Sequence, residues 1–337
     1  MKIIRTDCEL QTPEIDAGLR QLGHQLVLLP DGVSEEELIS EIADTDLLLM
    51  CYTPVTRAVI EAAGSLRGIV KYGVGIDAID ISAAKERNIV VVNVPEYAEE
   101  TVAEGAFALM IALAKKLVPL DRHMHAKGWA WPEPQWMGSD IAGKTVGLIG
   151  FGKIGTSMAR MAGQGFRARV IAYSPYTPAD EMAAQGVEKY DDLLALMRDS
   201  DFVSIHCVLN SETRHLIGER ELRSMKPGAF LINVSRGAIV DETALTRVLN
   251  DGGIAGAGLD VFAQEPLNTH DHPMASLFEH PSVILSPHVT FYTKEAMHRL
   301  ETETLQRCTE ILNGEMVTIK STDPRLTGQG GLADYRC

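Results

Sequence analysis

The chain has 337 residues, 45% of them hydrophobic and 23% charged, which is enough for two domains with a core each. Its formal net charge of −15 argues against nucleic acid or an anionic membrane as a general partner, because phosphate groups are bound by clustered Lys and Arg. An anionic substrate would have to be attracted by local positive groups. The five cysteines are scattered and have no Cys-x-x-Cys spacing, which favours a reducing cytoplasm and no zinc site.

The start of the chain has no basic segment followed by an apolar one, so we expect no secretion signal. The longest apolar stretch, residues 106–114, is too short to span a bilayer and is better interpreted as part of a core helix. Together with the cysteine pattern, this predicts a cytoplasmic protein with no membrane partner.

Short β-like runs alternate with helical patterns in the first 93 residues. The strands are predicted at 2–4, 25–29, 46–50, 68–71 and 90–93, and the helices at 13–22, 34–42, 56–63 and 82–87. Ser34 followed by Glu37 predicts a capping box at the start of the second helix. This alternation predicts a parallel sheet covered by helices on both faces.

A long helix is predicted at 97–116, and its second half is too hydrophobic all round to lie on a surface. We expect it between domains or in an interface. The stretch 117–139 is predicted to be irregular and holds Trp129, Trp131 and Trp136. The tryptophans favour aromatic packing at a subunit or domain contact, and a substrate-lining role for one of them is the alternative.

A second alternating series begins at residue 145. Its strands are predicted at 145–149, 169–173, 202–206, 229–233, 254–260 and 282–285, and its helices at 154–164, 191–198, 218–225, 242–251 and 293–313. Six such strands predict a complete doubly wound dinucleotide-binding fold. We expect the last helix to cross back to the first domain, and the Gly-rich polar tail 321–337 to be an extended arm or disordered.

Residues 150–155, Gly-Phe-Gly-Lys-Ile-Gly, lie between the first strand and first helix of this series. Gly150 would permit the tight turn, Gly152 would let the backbone approach a pyrophosphate, and Gly155 would allow close helix–sheet packing. The helix start supplies N–H groups and partial positive charge for phosphates. The motif in this context predicts a dinucleotide site.

Three groups that suit one another lie at or after later strand ends, where such a fold places its ligands. Arg236 follows an apolar strand and could grip a carboxylate with two hydrogen bonds. His288 follows another strand, and Glu265 lies in the preceding loop. A carboxylate beside an imidazole orients the ring as a proton donor. Each residue alone has a bland alternative, as a surface ion pair, a solvated charge or a structural histidine.

Six segments together resemble the NAD(P)-dependent D-2-hydroxyacid dehydrogenases. They are 71–80 (KYGVGIDAID), 93–104 (NVPEYAEETVAE), 147–155 (GLIGFGKIG), 225–241 (MKPGAFLINVSRGAIVD), 258–266 (GLDVFAQEP) and 286–288 (SPH). The resemblance extends from about residue 46 to 313. It implies an α/β protein of two doubly wound parallel-sheet domains, with a Rossmann-type cofactor domain at 97–293 inserted into a smaller flavodoxin-like substrate-binding domain at 1–96 plus 294–337. It also implies a homodimer.

The resemblance implies the reaction as well. A hydride would pass between nicotinamide and a small 2-keto or 2-hydroxy acid, and closure of the two domains would exclude water. Arg236 would hold the substrate, His288 would be the general acid/base, and Glu265 would keep His288 protonated for ketone reduction. Backbone N–H groups of Val74 and Gly75 would bind the substrate carboxylate.

The implied cofactor contacts are more widely spread. Asp260 would bind the nicotinamide carboxamide, Thr101 would touch the nicotinamide side, and Cys207 with Val208 would line the adenosine. The glycine loop would bind the pyrophosphate through Gly150, Gly152, Lys153, Ile154 and Gly155.

The choice between NAD and NADP is open. Family members that prefer NAD usually carry Asp or Glu at the end of the second strand to bind the ribose hydroxyls. This chain has Ser174 there, which neither pairs with the ribose as a carboxylate would nor repels a 2′-phosphate. No Arg follows it, so the cofactor is predicted only as NAD or NADP.

Other reactions and roles also stay open. Formate dehydrogenases, by resemblance, carry Gln at the position of Glu265, which favours ketone reduction here, whereas phosphite dehydrogenases keep a similar triad. A dinucleotide-sensing interaction protein similar to the corepressors of this fold is the alternative from another class. Phe291 and Tyr292 either shape the pocket or pack the last helix.

Some assignments rest on weak patterns alone. Candidates for lining the substrate side chain are Tyr52, Thr53, Tyr72 and Trp136. The His-x-His pairs are His123 with His125 and His270 with His272; they are expected on loops or the surface and not at a metal.

Overall fold

The computed structural model describes residues 1–330 and 333–335. It divides the chain into two compact units, which we call the first unit (Met1–Ala98 with Thr293–Cys337) and the second unit (Glu99–Tyr292). None of the helices in the described part of the chain has both the length and the apolar character needed to cross a bilayer.

The first unit is built on a five-stranded parallel sheet in the order β2-β1-β3-β4-β5. Its strands are β1 (Lys2–Arg5), β2 (Gln25–Leu28), β3 (Leu47–Met50), β4 (Gly68–Lys71) and β5 (Val90–Asn93). Strands β3, β4 and β5 are buried along their whole length, because helices cover both faces of the sheet. All five agree with the predicted strands.

Helices α1 (Pro13–Gln21), α2 (Glu35–Ile42), α3 (Arg57–Ala62) and α4 (Ile81–Glu86) connect these strands. Polar side chains fix where three of them begin. Ser34 and Glu37 form the predicted capping box, and Thr56 and Asp80 accept hydrogen bonds from the first turns of α3 and α4.

The second unit has a seven-stranded parallel sheet in the order β12-β11-β10-β9-β6-β7-β8. Its strands are β6 (Thr145–Ile149), β7 (Arg169–Tyr173), β8 (Glu188–Lys189), β9 (Phe202–Ile205), β10 (Phe230–Asn233), β11 (Gly256–Leu259) and β12 (Val283–Leu285). The strand order reverses between β6 and β9, so the doubly wound dinucleotide fold is confirmed. The predicted set lacked β8, a two-residue edge strand too short to give a pattern.

The helices of the second unit lie between these strands and ahead of them. They are α5 (Glu99–Ala114), α6 (Leu117–Lys127), α7 (Lys153–Arg160), α8 (Ala179–Ala184), α9 (Leu193–Asp199), α10 (Glu219–Ser224) and α11 (Glu242–Asn250). The apolar helix α5 packs against α7 and against β10 and β11, and its buried Met110 shares a core with Leu148 of β6. Each such buried side chain contributes about 1.5–3 kcal/mol through loss of apolar surface from water.

The prediction of an irregular stretch at 117–139 is wrong for its first half, where α6 forms. Pro119 misled the prediction, but it lies in the first turn, where a helix has no need of the missing N–H. Lys116 has φ of +52°, a left-handed conformation that ends the helical path and separates α5 from α6. Further on, only a short 3₁₀ turn, Pro134–Trp136, interrupts the irregular segment.

The last helix, α12 (Lys294–Asn313), packs on α1 and on β4, as predicted. Two parallel strands follow, β13 (Val317–Ile319) and β14 (Ala333–Tyr335). The tail is therefore ordered in its described part: the Gln329 amide bonds the N–H and the carbonyl of Val91 on β5. Residues 331, 332, 336 and 337 of the predicted arm lie outside the described residues.

Candidate functional site

The glycine loop follows β6 at the point where the strand order reverses. Gly150 has φ of +98°, and a Cβ there would lie 2.5 Å from the Cys207 nitrogen, so only glycine fits. A Cβ on Gly155 would lie 2.6 Å from the Gly150 carbonyl oxygen. A Cβ on Gly152 would meet no heavy atom of the described chain within 4 Å, which leaves room for a phosphate to approach the backbone.

Helix α7 begins directly after Gly152, and no described side chain caps its first N–H groups. These groups and the helix dipole are available to an anion. Lys153 lies in this first turn, with its ammonium 3.3 Å from Glu99, and the side chain of Ile154 is half-buried. The loop and helix start therefore fit the pyrophosphate of a dinucleotide.

Ser174 directly follows β7 and is buried, with its hydroxyl 2.9 Å from the Thr177 hydroxyl. The nearby Tyr176 is 81% exposed and donates a hydrogen bond of 2.6 Å to the Glu212 carboxylate. The structure thus places a carboxylate near this loop that the sequence pattern did not indicate, because Glu212 is distant in the chain. Ser174 itself offers only a hydroxyl.

The remaining predicted cofactor residues lie in the second unit. Cys207 follows β9 beside Gly150, and burial raises the pKa of its thiol to about 11, so it stays a neutral thiol at physiological pH. Val208 is exposed, and its carbonyl accepts from the Thr213 hydroxyl. Thr101 is buried in the first turn of α5, the helix that packs on α7.

Arg236 lies three residues after β10, where the Asn233 amide donates 3.0 Å to its carbonyl and its own guanidinium donates to the Ser235 carbonyl. Gly237 next to it lies against the turn after β11, since a Cβ there would be 1.9 Å from the Phe262 carbonyl carbon. The guanidinium also acts electrostatically on Glu265. The structure therefore places Arg236 within electrostatic reach of Glu265, the hydrogen-bond partner of His288.

His288 and Glu265 are hydrogen-bonded, with Nδ1 and Oε2 2.7 Å apart and the two side chains 21% and 30% exposed. The other oxygen of Glu265 accepts from the Phe262 N–H at 2.9 Å. Burial acts to raise the pKa of the Glu265 carboxyl, but the bond and charge of His288, the Phe262 N–H and Arg236 together hold this pKa below its usual value.

An ionised Glu265 accepts a hydrogen bond from the Nδ1–H group, which fixes the tautomer and leaves Nε2 as the ring nitrogen for proton transfer. Phe291 packs edge-on to this imidazole, with the ring centres 6.2 Å apart, and is buried, whereas Tyr292 is half exposed. Phe291 therefore supports the ring of His288.

Asp260 holds the backbone that presents His288. The carboxylate is fully buried and accepts from the Ser286 hydroxyl, the Val289 N–H, and the N–H and hydroxyl of Thr290, at 2.6–3.0 Å. Its carbonyl accepts from the His288 N–H at 2.7 Å. These contacts hold His288 at φ of +55°, a left-handed conformation that costs an imidazole residue roughly 1–3 kcal/mol. The direct cofactor contact of Asp260 stays a prediction.

In the first unit, Val74 and Gly75 follow β4. Val74 is 43% exposed, and its carbonyl accepts 2.6 Å from the Asn93 amide. Tyr72 is wrong as a side chain lining the substrate, because it is fully buried and its hydroxyl donates to the Thr6 carbonyl. Thr53 is buried too and bonds Asp7, whereas Tyr52 is partly exposed.

A buried pair behind the catalytic residues was missed from the sequence. His272, expected on a loop or the surface, has a side chain only 4% exposed, and its Nε2 lies 3.4 Å from Glu242. Glu242 is the first residue of α11, a position where the helix dipole favours any carboxylate. In the described part of the chain, no group of three or more His, Cys, Asp or Glu could hold a metal ion.

The chain is similar to proteins of one known family. The family model for the NAD binding domain of D-isomer specific 2-hydroxyacid dehydrogenases matches residues 107–290. A glyoxylate reductase of Korarchaeum cryptofilum is 40% identical over 286 residues, which make up 84% of either chain.

Two solved structures are also similar over most of their length. A D-lactate dehydrogenase of Aquifex aeolicus, complexed with NAD and lactic acid, matches with a TM-score of 0.83 and 27% identity, over 93% of this chain and 96% of that one. An acyclic imino acid reductase in complex with NADPH and D-Arg matches with a TM-score of 0.81 and 30% identity, over 93% and 97%.

Proposed function

Since the chain belongs to the D-isomer specific 2-hydroxyacid dehydrogenases, and is an NAD(P)-dependent oxidoreductase of 2-keto acids and D-2-hydroxyacids, we propose that Arg236, Glu265 and His288 carry its reaction. The cofactor is NAD or NADP, held by the second unit. We assign the substrate carboxylate to the Val74–Gly75 backbone of the first unit. The relatives named above are enzymes and give no support to a corepressor-like role.

In the proposed reaction, the bound nicotinamide supplies the hydride for the keto carbon. Arg236 binds the carboxylate and keto oxygen of the substrate, because a guanidinium matches two oxygens at once. His288 delivers a proton from Nε2 to the keto oxygen as it becomes an alcohol. Glu265 stabilises the protonated imidazole before transfer, and in the reverse direction the neutral imidazole accepts the proton.

One observation supports this assignment most strongly: the 2.7 Å contact between His288 Nδ1 and Glu265 Oε2. It orients the ring, and the lowered pKa of Glu265 keeps the partner ionised in the neutral range. A simple surface ion pair does not require a left-handed histidine, whereas His288 has this conformation and its N–H bonds the carbonyl of the buried Asp260.

Among 2-keto acids, we propose glyoxylate as the substrate to test first, because the 40% identical relative is a glyoxylate reductase. The purified protein would be mixed with NADH or NADPH and with glyoxylate, hydroxypyruvate, pyruvate or phenylpyruvate, and absorbance of the reduced nicotinamide followed. We expect oxidation of at least one cofactor with glyoxylate. If none of the four acids were turned over, the roles assigned to Arg236, Glu265 and His288 would be overturned.

We also propose a homodimer that uses α6 and the following segment. Helix α6 has no buried residue, and large apolar side chains are exposed here: Leu117, Met124, Trp129, Trp131 and Met137. Exposed apolar groups concentrated in one segment are typical of an interface. Light scattering should give twice the chain mass of 36.8 kDa.

A cytoplasmic location is proposed from the cysteines. Cys8, Cys51, Cys207 and Cys308 are all free thiols in the described part of the chain. Free thiols persist in a reducing compartment.

A further inference from the structure

We propose that Glu242, supported by His272, is a positioning residue that holds the turn carrying Glu265 and so sets the Glu265–His288 contact. This inference rests on the proposed function, since it assigns a role toward the same proton transfer. It concerns two side chains that are not expected to touch substrate or cofactor.

Glu242 opens α11 and reaches back to the turn after β11. Its Oε1 accepts from the Ala263 N–H at 2.7 Å, one residue beyond Phe262, whose N–H bonds Glu265. Successive N–H groups of one turn are thus bound by two different carboxylates. Because Phe262 N–H fixes one oxygen of Glu265, a shift of this turn would move the other oxygen away from His288.

His272 completes the contact from the far side. Its Nδ1 accepts from the Met274 N–H at 3.2 Å, which places the ring proton on Nε2, facing Glu242 Oε2 at 3.4 Å. Both side chains are at least nine-tenths buried. A buried carboxylate without its donors is costly, so the pair and the turn form one interdependent structure.

The turn also lies against the loop that carries Arg236. The missing side chain of Gly237 lets its backbone touch Phe262 and Ala263 directly. Glu242 therefore holds the turn from one side while the Arg236 loop supports it from another. The positions of Arg236 and of the Glu265–His288 pair therefore both depend on this turn.

The charges around the pair define its effect on pH dependence. Burial raises the pKa of Glu242 and the charge of Glu265 acts in the same direction, whereas the hydrogen bond from the Ala263 N–H and the charges of His272 and His215 act to lower it. Glu265 in turn faces His288 and Arg236. Helix α10 packs on α11, and its Glu219 and Arg223 pair with Arg247 and Asp251 further along.

The test compares Glu242→Leu, Glu242→Gln and His272→Phe in the full chain, with glyoxylate as substrate. Glu242→Leu should lower kcat by about 10-fold to 100-fold, as expected for a small displacement of a catalytic group, with the Kd of NADH or NADPH unchanged. Glu242→Gln keeps an acceptor for Ala263 and should recover part of kcat. The acid limb of the pH profile of kcat should extend to lower pH in this variant. The reason is that Glu265 loses a neighbouring negative charge, which lowers the pKa of its carboxyl. His272→Phe should cost less than Glu242→Leu.

Glu301 provides the matched control, since it is a buried carboxylate that accepts the N–H groups of Glu14 and Ile15 in the first unit. Glu301→Leu and Glu301→Gln should lower thermal stability while kcat and the pH profile stay at wild type. If the Glu242 variants behave as these controls do, the positioning role is overturned. Should Glu242→Leu fail to fold, the two Gln variants decide. A wild type without any turnover would instead overturn the proposed function.

Discussion

Asp7 in the first unit and Asp260 in the second lie at comparable places, each just after a strand of a parallel sheet and each at most 1% exposed. Asp7 accepts the N–H groups of Cys51, Tyr52 and Thr53 from the loop after β3, while Asp260 accepts those of Val289 and Thr290 from the loop after β12. Both are carboxylates whose lone pairs are taken up by a neighbouring loop.

The two loops differ in what they carry. The loop that Asp260 holds presents His288 in a left-handed conformation, whereas the loop that Asp7 holds presents the partly exposed Tyr52, whose ring centre lies 5.4 Å from the Lys71 ammonium. A buried, fully bonded carboxylate therefore indicates a loop of fixed shape. Chemistry must then be inferred from the residue that the loop exposes.

The largest effect should come from removing the imidazole. His288→Ala is expected to lower the reduction rate by roughly 10²–10⁴, the usual contribution of a general acid, with cofactor affinity near wild type. Stopped-flow oxidation of the reduced nicotinamide would measure it. His288→Asn is the matched variant, because Asn tolerates a positive φ. If Asn restored full activity, the histidine would be structural.

The second prediction changes both aspartates in the same way. Asp7→Asn and Asp260→Asn should each lower the free energy of unfolding by about 3 kcal/mol, since an amide cannot accept all the N–H and O–H groups that the carboxylate binds. Only Asp260→Asn should also lower kcat. Chemical denaturation and steady-state kinetics would measure the two effects. Equal losses of kcat would contradict the distinction between the loops.

Acid should destabilise the second unit through His206. Burial lowers the pKa of its imidazole to about 4, against about 6.5 when unfolded, so between these values the unfolded chain binds the extra proton. Stability from this group is complete above pH 6.5 and is lost as pH falls toward 4, by about 3 kcal/mol in total. His206→Phe should flatten this dependence. All three tryptophans lie in the second unit, so their fluorescence during denaturation reports it.

The smallest effect concerns the cofactor. Ser174→Asp should shift preference toward NADH by roughly tenfold, because a carboxylate binds the ribose hydroxyls and repels a 2′-phosphate. The ratio of kcat/KM values for NADPH and NADH would measure it, with Thr177→Val as the control that only removes the partner of Ser174. An unchanged ratio would mean that residue 174 does not face the ribose.

The parts of the fold that follow periodic patterns were predictable. Both parallel sheets, the Ser34–Glu37 cap and the return of α12 follow from apolar periodicity and local hydrogen bonding. The periodic pattern failed at two places. Strand β8 has only two residues, too few to show a period, and Pro119 is tolerated in α6 only because it lies in the first turn.

The site was predictable as far as residue type and strand ends indicate it. Arg236, Glu265 and His288 stand out because charged groups follow apolar strands, and the structure brings them together. Glu242 and His272 could not be found in this way, because their role depends on a contact between residues that are 30 positions apart in the sequence. The left-handed backbone of His288 was likewise hidden, because histidine does not demand that conformation.

Gly237 lets two backbone segments of the site touch each other. With no Cβ between them, the backbone after Arg236 and the backbone before Glu265 are in direct contact, and neither can drift without the other. The spacing between the two backbone segments that carry Arg236 and Glu265 is therefore set by direct backbone contact at Gly237. Any side chain at position 237 would force the two segments apart and shift Arg236 relative to Glu265.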